Sequence, residues 1–254
     1  MWLFTHAIVR KPGADFAQGI TTAQLGAPDD KTMLRQHASY VATLQKLGLR
    51  VLELEPLPGF PDAYFVEDCA VVTRKMAVIT RPGAEARRGE TDSIAEALSA
   101  YRKIHRIHPP GTLDGGDVLQ IGEQFFIGLS QRTNLNGAEQ LVTVLKGHDY
   151  DATLVPVSTG LHLKSGVNYA GKNTVVLTEP FSKELAFATF NHIIVEPEEA
   201  YAANLLWING VIVMAAGFPR LRKGLASLES AIIELDVSEA RKMDGGLTCM
   251  SLRF

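Results

Sequence analysis

Cysteine is scarce in this chain, with only Cys69 and Cys249 among 254 residues. Two thiols make no disulfide framework, and neither sits in a CxxC or CxxxH spacing, which excludes a disulfide-stapled scaffold and a structural zinc site. No charge excess of either sign is present: 25 Lys and Arg stand against 28 Asp and Glu, a net charge of −3. Without a basic footprint or a run of like charges, nucleic acid and membrane surfaces are not expected partners. Long apolar runs are missing as well. No stretch approaches a membrane span, and MWLFTHAIVRKPG at the start is too short in apolar residues, with no small-residue cleavage site, to read as a leader. The expected location is therefore cytoplasmic. Low-complexity stretches and long linkers are also absent, so residues 1–254 are expected to form one catalytic domain.

What the chain does contain is enough apolar sequence for a sizeable core, 46% hydrophobic residues against 21% charged, and a weak internal repeat. From Cys69 to Ile107 the order is CAVVT, a turn at Arg74-Lys75, MAVIT, an amphipathic stretch through Ile94, Leu98 and Tyr101, then IHRI. Asp117 to Val157 repeats it with DVLQIG, a turn at Glu123-Gln124, FFIGL, a helix from Asn134 through Leu141 and Leu145, and TLVPV. A third unit runs through NYAG, Lys172-Asn173, TVVLT, a short helix near Ser182 to Ala188, and HIIV. The fourth runs through NLLWI, Asn209-Gly210, VIVMA, a basic helix around Arg220 to Ala226, and AIIELDV. Asn-Gly is the strongest hairpin signal among these turns, because both central residues of a type I′ turn need positive φ. The two ends supply a fifth unit: GLTCMSLRF pairing with WLFTHAIV, a helix from Lys31 to Leu47, and the strand VLELEPL. Five ββαβ modules predict a radial ring with helices outside, against the alternative of an ordinary α/β sandwich.

In a radial fold the junctions entering each first strand face a common centre, and the chemically unusual residues cluster there. FVEDC, LDGGD, GLHLKSG and DGGLTC bring Glu67, Asp68, Asp114, Asp117, His162 and Cys249. A thiol, an imidazole and several carboxylates amount to a nucleophile, a proton shuttle and a cation clamp. Thiolate attack on the carbon of a planar, multi-donor cation fits best, and a guanidinium is such a cation. Each residue also has a plainer reading. Cys69, before the strand AVV, reads as a small buried hydrophobe; His162 between two leucines could be a core histidine; the acids of LDGGD could be turn residues beside glycines.

The set FVEDC, ITRPGAEARRGE, GTLDGGDVLQIG, FFIGLSQRTN, GLHLKSG, EEAYAANLLWING and KMDGGLTCMSLRF resembles the dimethylarginine dimethylaminohydrolases of the guanidine-modifying superfamily over nearly the whole chain. The resemblance implies a five-bladed pseudosymmetric α/β propeller, hydrolysis of Nω,Nω-dimethylarginine and Nω-methylarginine to citrulline, no cofactor and no metal. It also implies that Cys249 and His162 are the catalytic pair, assisted by Asp114. Asp68 and Asp114 correspond to the guanidinium-binding carboxylates, with Glu67 beside the first. Asp62, Arg87 and Arg132 would meet the amino-acid end of the substrate, together with backbone groups of Ile20 and Met243. Those last two positions depart from the leucine and the isoleucine or valine usual there, and Asp114 stands where some bacterial members carry glutamate. The partner implied is a small methylated arginine, with a homodimer left open. Two rival readings use the same residues: a deiminase of unmethylated arginine, and an amino-acid-binding protein without catalysis.

Overall fold

The computed structural model describes residues 3–254, and its fifteen strands form five separate three-stranded sheets. The first sheet holds β1 (His6–Arg10) parallel to β2 (Arg50–Leu54), joined through helix α1 (Asp30–Lys46). The second holds β3 (Ala70–Val72), β4 (Met76–Ile79) and β5 (Lys103–Arg106), with α2 (Thr91–Ser99) before the last strand. The third is β6 (Val118–Ile121), β7 (Gln124–Leu129) and β8 (Asp151–Pro156), with α3 (Leu135–Lys146). After the single turn α4 (Leu163–Gly166) come β9 (Val167–Gly171), β10 (Thr174–Thr178) and β11 (Asn191–Val195). The fifth sheet is β12 (Leu206–Ile208), β13 (Val211–Ala215) and β14 (Ala231–Leu235), with α5 (Pro219–Leu225). Beyond α6 (Ser238–Lys242), β15 (Leu252–Arg253) pairs antiparallel with β1 and supplies the first sheet's third strand. Each module thus joins an antiparallel hairpin to a parallel crossover, the ββαβ order of a five-bladed α/β propeller.

The apolar runs follow from how the sheets pack. Every middle strand is covered on both faces, and in β1, β4, β7 and β10 alternate residues enter different cores, whereas the buried residues of β13 share one. On β4, Met76 and Val78 pack towards Phe125 and Ile127 of the third sheet, whereas Ala77 and Ile79 pack towards Ile8 and Leu252 of the first. On β10, Val175 and Leu177 meet Leu119 and Phe126, while Val176 joins the core shared with β13 and β1. The crossover strands lie at the rim and are largely exposed, as in β2 and β11.

Three local expectations need correction. Residues near Ser182 to Ala188 form no α-helix but two separate 3-10 turns, Glu179–Phe181 and Leu185–Phe187; the segment is too short to propagate helix past its costly first turn. The third-sheet hairpin turns at Gly122-Glu123, since Ile121 pairs with Gln124 and Gly122 takes φ 62°. Most of GLTCMSLRF is not strand. Tyr40 Oη donates to Leu247 O at 2.8 Å and Asn204 Oδ1 accepts from Thr248 N at 3.0 Å, so only β15 joins the ladder and Cys249 lies outside it. The opening strand starts at His6, and the Trp2 end of the expected stretch lies outside the described residues.

Candidate active site

Four junctions converge on one cavity of about 780 Å³, lined by Asp68, Asp114, His162 and Cys249 and walled by Phe65, Phe181, Tyr201 and Met243. Asp68 lies in the 3-10 turn Val66–Cys69 that leads into β3, and it is 4% exposed. Its Oδ1 accepts from Gly116 N at 3.0 Å and its Oδ2 from Arg87 Nη1 at 2.6 Å. Burial alone would raise this carboxyl, but His162, Arg87 and the Gly116 N–H outweigh it and hold it at about 2. Asp114 is held through Oδ1, which accepts from Gly83 N at 2.8 Å, and its Oδ2 lies 3.0 Å from His162 Nε2.

His162 is buried between these carboxylates, with Nε2 4.0 Å from Asp68 Oδ1. Burial disfavours the imidazolium, yet Asp68, the hydrogen bond to Asp114 and the charge of Asp117 prevail and raise it to about 9. The ring fits only because position 116 is glycine. A Cβ built there would lie 2.6 Å from His162 Nδ1 and 2.9 Å from Asp68 Oδ1. Two carboxylates and an imidazole with ligand atoms within 4.8 Å of one another have the composition of a metal site. Here the imidazolium proton and Arg87 already supply the countercharge.

Cys249 is half-buried, and burial together with Glu67 and Asp68 pushes its thiol up to about 12. At neutral pH the site therefore holds a ready acid and a resting thiol. Cys69 is fully buried beside Glu90, its Sγ 3.8 Å from Oε2, and does not line the cavity.

The remaining expected residues divide. Asp62, Arg87, Arg132, Ile20 and Met243 all line this cavity. Both Asp62 oxygens accept from Ile20 N, at 3.2 and 3.0 Å, and burial first of all raises its carboxyl. Arg87 differs from a free clamp. Its Nε and Nη2 donate to Glu90, Nη2 also to the carbonyls of Asp62 and Phe65, and Nη1 to Asp68, so it braces Asp68 with little capacity left for a ligand. Arg132 has no side-chain hydrogen bond among the described residues; only its backbone N is bonded, to Ser130 Oγ. Asp117 lies outside the cavity and is fully occupied as a scaffold, accepting from Ser130, Thr133 and Leu163 N. Glu67 is absent from the lining of this cavity; its Oε1 turns the other way, to Lys164 at 2.7 Å and Arg253 at 3.1 Å.

Sequence reasoning passed over several residues that build the mouth. Asp244 accepts from Thr21 Oγ1 and from Thr22 N and Oγ1, tying the loop that carries Ile20 to the segment that carries Cys249. Arg241 lies over the rings of Tyr201 at 4.6 Å and Phe218 at 5.6 Å. Asp244 was legible in DGGLTC, but its partners are 222 and 223 residues distant.

Comparison with known proteins agrees with this geometry. The family model described as Arginine deiminase matches residues 30–192. The chain is 42% identical to the N(G),N(G)-dimethylarginine dimethylaminohydrolase of Pseudomonas aeruginosa, over 99% of this chain and 100% of that one. A cysteine-to-serine variant of the Pseudomonas aeruginosa enzyme, solved with citrulline, superposes with a TM-score of 0.98 at 42% identity and full coverage of both chains. A histidine-to-glycine variant of a dimethylarginine dimethylaminohydrolase, solved as an adduct with S-methyl-L-thiocitrulline, gives 0.97 at 42% identity, covering 99% of this chain and 100% of that one.

Proposed function

The chain belongs to the dimethylarginine dimethylaminohydrolase family, and from that premise we propose that Cys249 is its nucleophile and His162 its acid and base. The reaction is hydrolysis of Nω,Nω-dimethylarginine to citrulline and dimethylamine through a covalent cysteine intermediate. The observation that carries the residue assignment is the imidazolium of His162, held at a cavity wall by Asp114 and Asp68, in the cavity that Cys249 also lines.

A cationic guanidinium entering the cavity favours loss of the Cys249 proton to solvent, since thiolate and cation then neutralise one another. The thiolate adds to the guanidinium carbon. His162 gives its proton to the dimethylamine nitrogen, the C–N bond breaks, and a cationic thiouronium remains on Cys249 beside a neutral imidazole. That imidazole takes a proton from water as the water adds to the same carbon. The C–S bond then breaks as the added hydroxyl loses its proton to solvent, which returns the thiolate and releases neutral citrulline. Asp68 and Asp114 accept the planar cation's N–H groups and keep the imidazole oriented. Glu67 is outside this cavity and makes no contact with the cation in this scheme. Arg132 takes the α-carboxylate, Asp62 holds the loop that carries Ile20, and Met243 closes the wall.

One domain over residues 1–254 suffices for this chemistry, because a single cavity draws on all five modules. Both thiols are unpaired, which suits a reducing compartment and a cytoplasmic enzyme. The test is adduct capture. With His162→Gly and S-methyl-L-thiocitrulline, mass spectrometry should find a thiouronium on the peptide that carries Cys249. An adduct on Cys69, or none in a folded protein, would sink the assignment.

A further inference from the structure

At each of these junctions, neighbouring residues line two different cavities. Asp68, Asp114, His162 and Cys249 line the cavity already described, whereas Glu67, Gly115, Lys164, Thr248 and Ser251, one or two residues away, line a second cavity of about 520 Å³. Three charged groups meet in its lining. Glu67 Oε1 accepts from Lys164 Nζ at 2.7 Å and from Arg253 Nη2 at 3.1 Å, and Glu67 and Lys164 are 3% and 8% exposed. Glu67 also reaches the nucleophile's own residue, its backbone N donating to Cys249 O at 3.0 Å.

This arrangement poses an electrostatic problem. A carboxylate beside a thiol opposes ionisation of that thiol, and burial strengthens the opposition. Resting on the assignment of Cys249 as nucleophile, we propose that Lys164 is a positioning residue whose ammonium neutralises Glu67 and turns Oε1 away from the sulfur, so that Cys249 can ionise when substrate arrives. Lys164 has no other charge partner among the described residues. Arg253 is a poor substitute, because its Nη1 is shared among Thr248 O, Ser251 O and Ser251 Oγ.

Other groups act on the same thiol. Asp68 comes from the turn that also carries Glu67, and Tyr64 and Tyr201 interact with Cys249 electrostatically. His162, Asp62, Arg87, Asp114, Arg132, Arg241 and Asp244 share its cavity. Facing Glu67 are Lys164, Arg253 and the buried phenol of Tyr40. Within this set Lys164 is a buried cation outside the substrate cavity that acts on the thiol through a single carboxylate.

The experiment follows carbamidomethylation of the peptide containing Cys249 by iodoacetamide across pH, in full-length protein, beside kcat and KM. Lys164→Met should slow alkylation roughly ten-fold at a given pH and move its profile to higher pH, with kcat falling more than KM rises. Lys164→Arg should recover most of the rate. The double variant Glu67→Gln with Lys164→Met should also recover alkylation, since neither charge remains. An unmoved profile in Lys164→Met, or a double variant as slow as Lys164→Met, would overturn the proposal and leave Lys164 a packing residue. If Lys164→Met does not fold, the double variant against Glu67→Gln alone decides, because the proposal requires their profiles to coincide. Hydrolysis persisting in Cys249→Ser would identify a different failure, that of the nucleophile assignment itself.

Discussion

At the residue scale, the site's chemistry rests on two opposed displacements. His162 is raised to about 9 and Cys249 to about 12, so the free enzyme at neutral pH carries imidazolium and thiol. In the proposed mechanism the productive pair is imidazolium with thiolate. Its population rises about ten-fold per pH unit until His162 starts to lose its proton, and then levels. kcat/KM for dimethylarginine should therefore climb between pH 6 and 8 and flatten near 9; a profile flat from pH 6 would contradict these ionisation states. The two arginines should also separate. Arg132→Ala should raise KM with kcat nearly intact, since it removes a contact made equally in ground and transition states. Arg87→Ala should lower kcat as well, because the buried Asp68 loses the cation that holds it. Both arginines looked alike in the sequence. What distinguishes them is Glu90, three residues from Arg87, whose pairing with it becomes evident only once both are buried.

At the scale of elements, the repeat was legible because each middle strand is buried on both faces and so reads as an unbroken apolar run. The hairpin at Asn209-Gly210 was legible from its turn residues, which take φ 50° and 90°. Gly210→Ala meets no atom within 4 Å, so its cost should be backbone strain alone, about 1 to 2 kcal/mol by denaturant unfolding, with kcat unchanged. The segment before Cys249 was less legible, since GLTCMSLRF has a strand's composition. Side chains remote in sequence, Tyr40 and Asn204, draw it out of the ladder. LDGGD shows the same limit. The sequence supports a turn there, whereas the structure gives Gly116 the further task of admitting the His162 ring. Gly116→Ala should abolish most activity while costing far less stability than a core deletion, to be read by kinetics beside thermal unfolding.

At the scale of the whole molecule, the ring is closed by two residues of β15 on β1 and by Phe254, which is 1% exposed, stacks on His6 and meets Tyr101 edge-on. Deleting Leu252 to Phe254 should cost at least the 3 to 5 kcal/mol typical of an excised buried aromatic residue. It should also remove Arg253 from Glu67, so a truncated chain that unfolds at the wild-type denaturant midpoint would show that closure contributes little. Ring closure is also what gathers four junctions at one cavity, and the substrate that cavity selects is the central claim. A pocket fitted to N-methyl groups gains roughly 1 to 3 kcal/mol per well-packed carbon. Two methyls on one nitrogen leave the other terminal nitrogen's donors for Asp68 and Asp114, whereas the symmetric isomer leaves a buried acceptor unpaired. The most direct measurement is kcat/KM for citrulline release from asymmetric dimethylarginine, symmetric dimethylarginine and arginine, side by side. The asymmetric isomer should lead the other two by about ten-fold or more; hydrolysis of plain arginine at an equal or greater rate would contradict the account and make this chain an arginine deiminase.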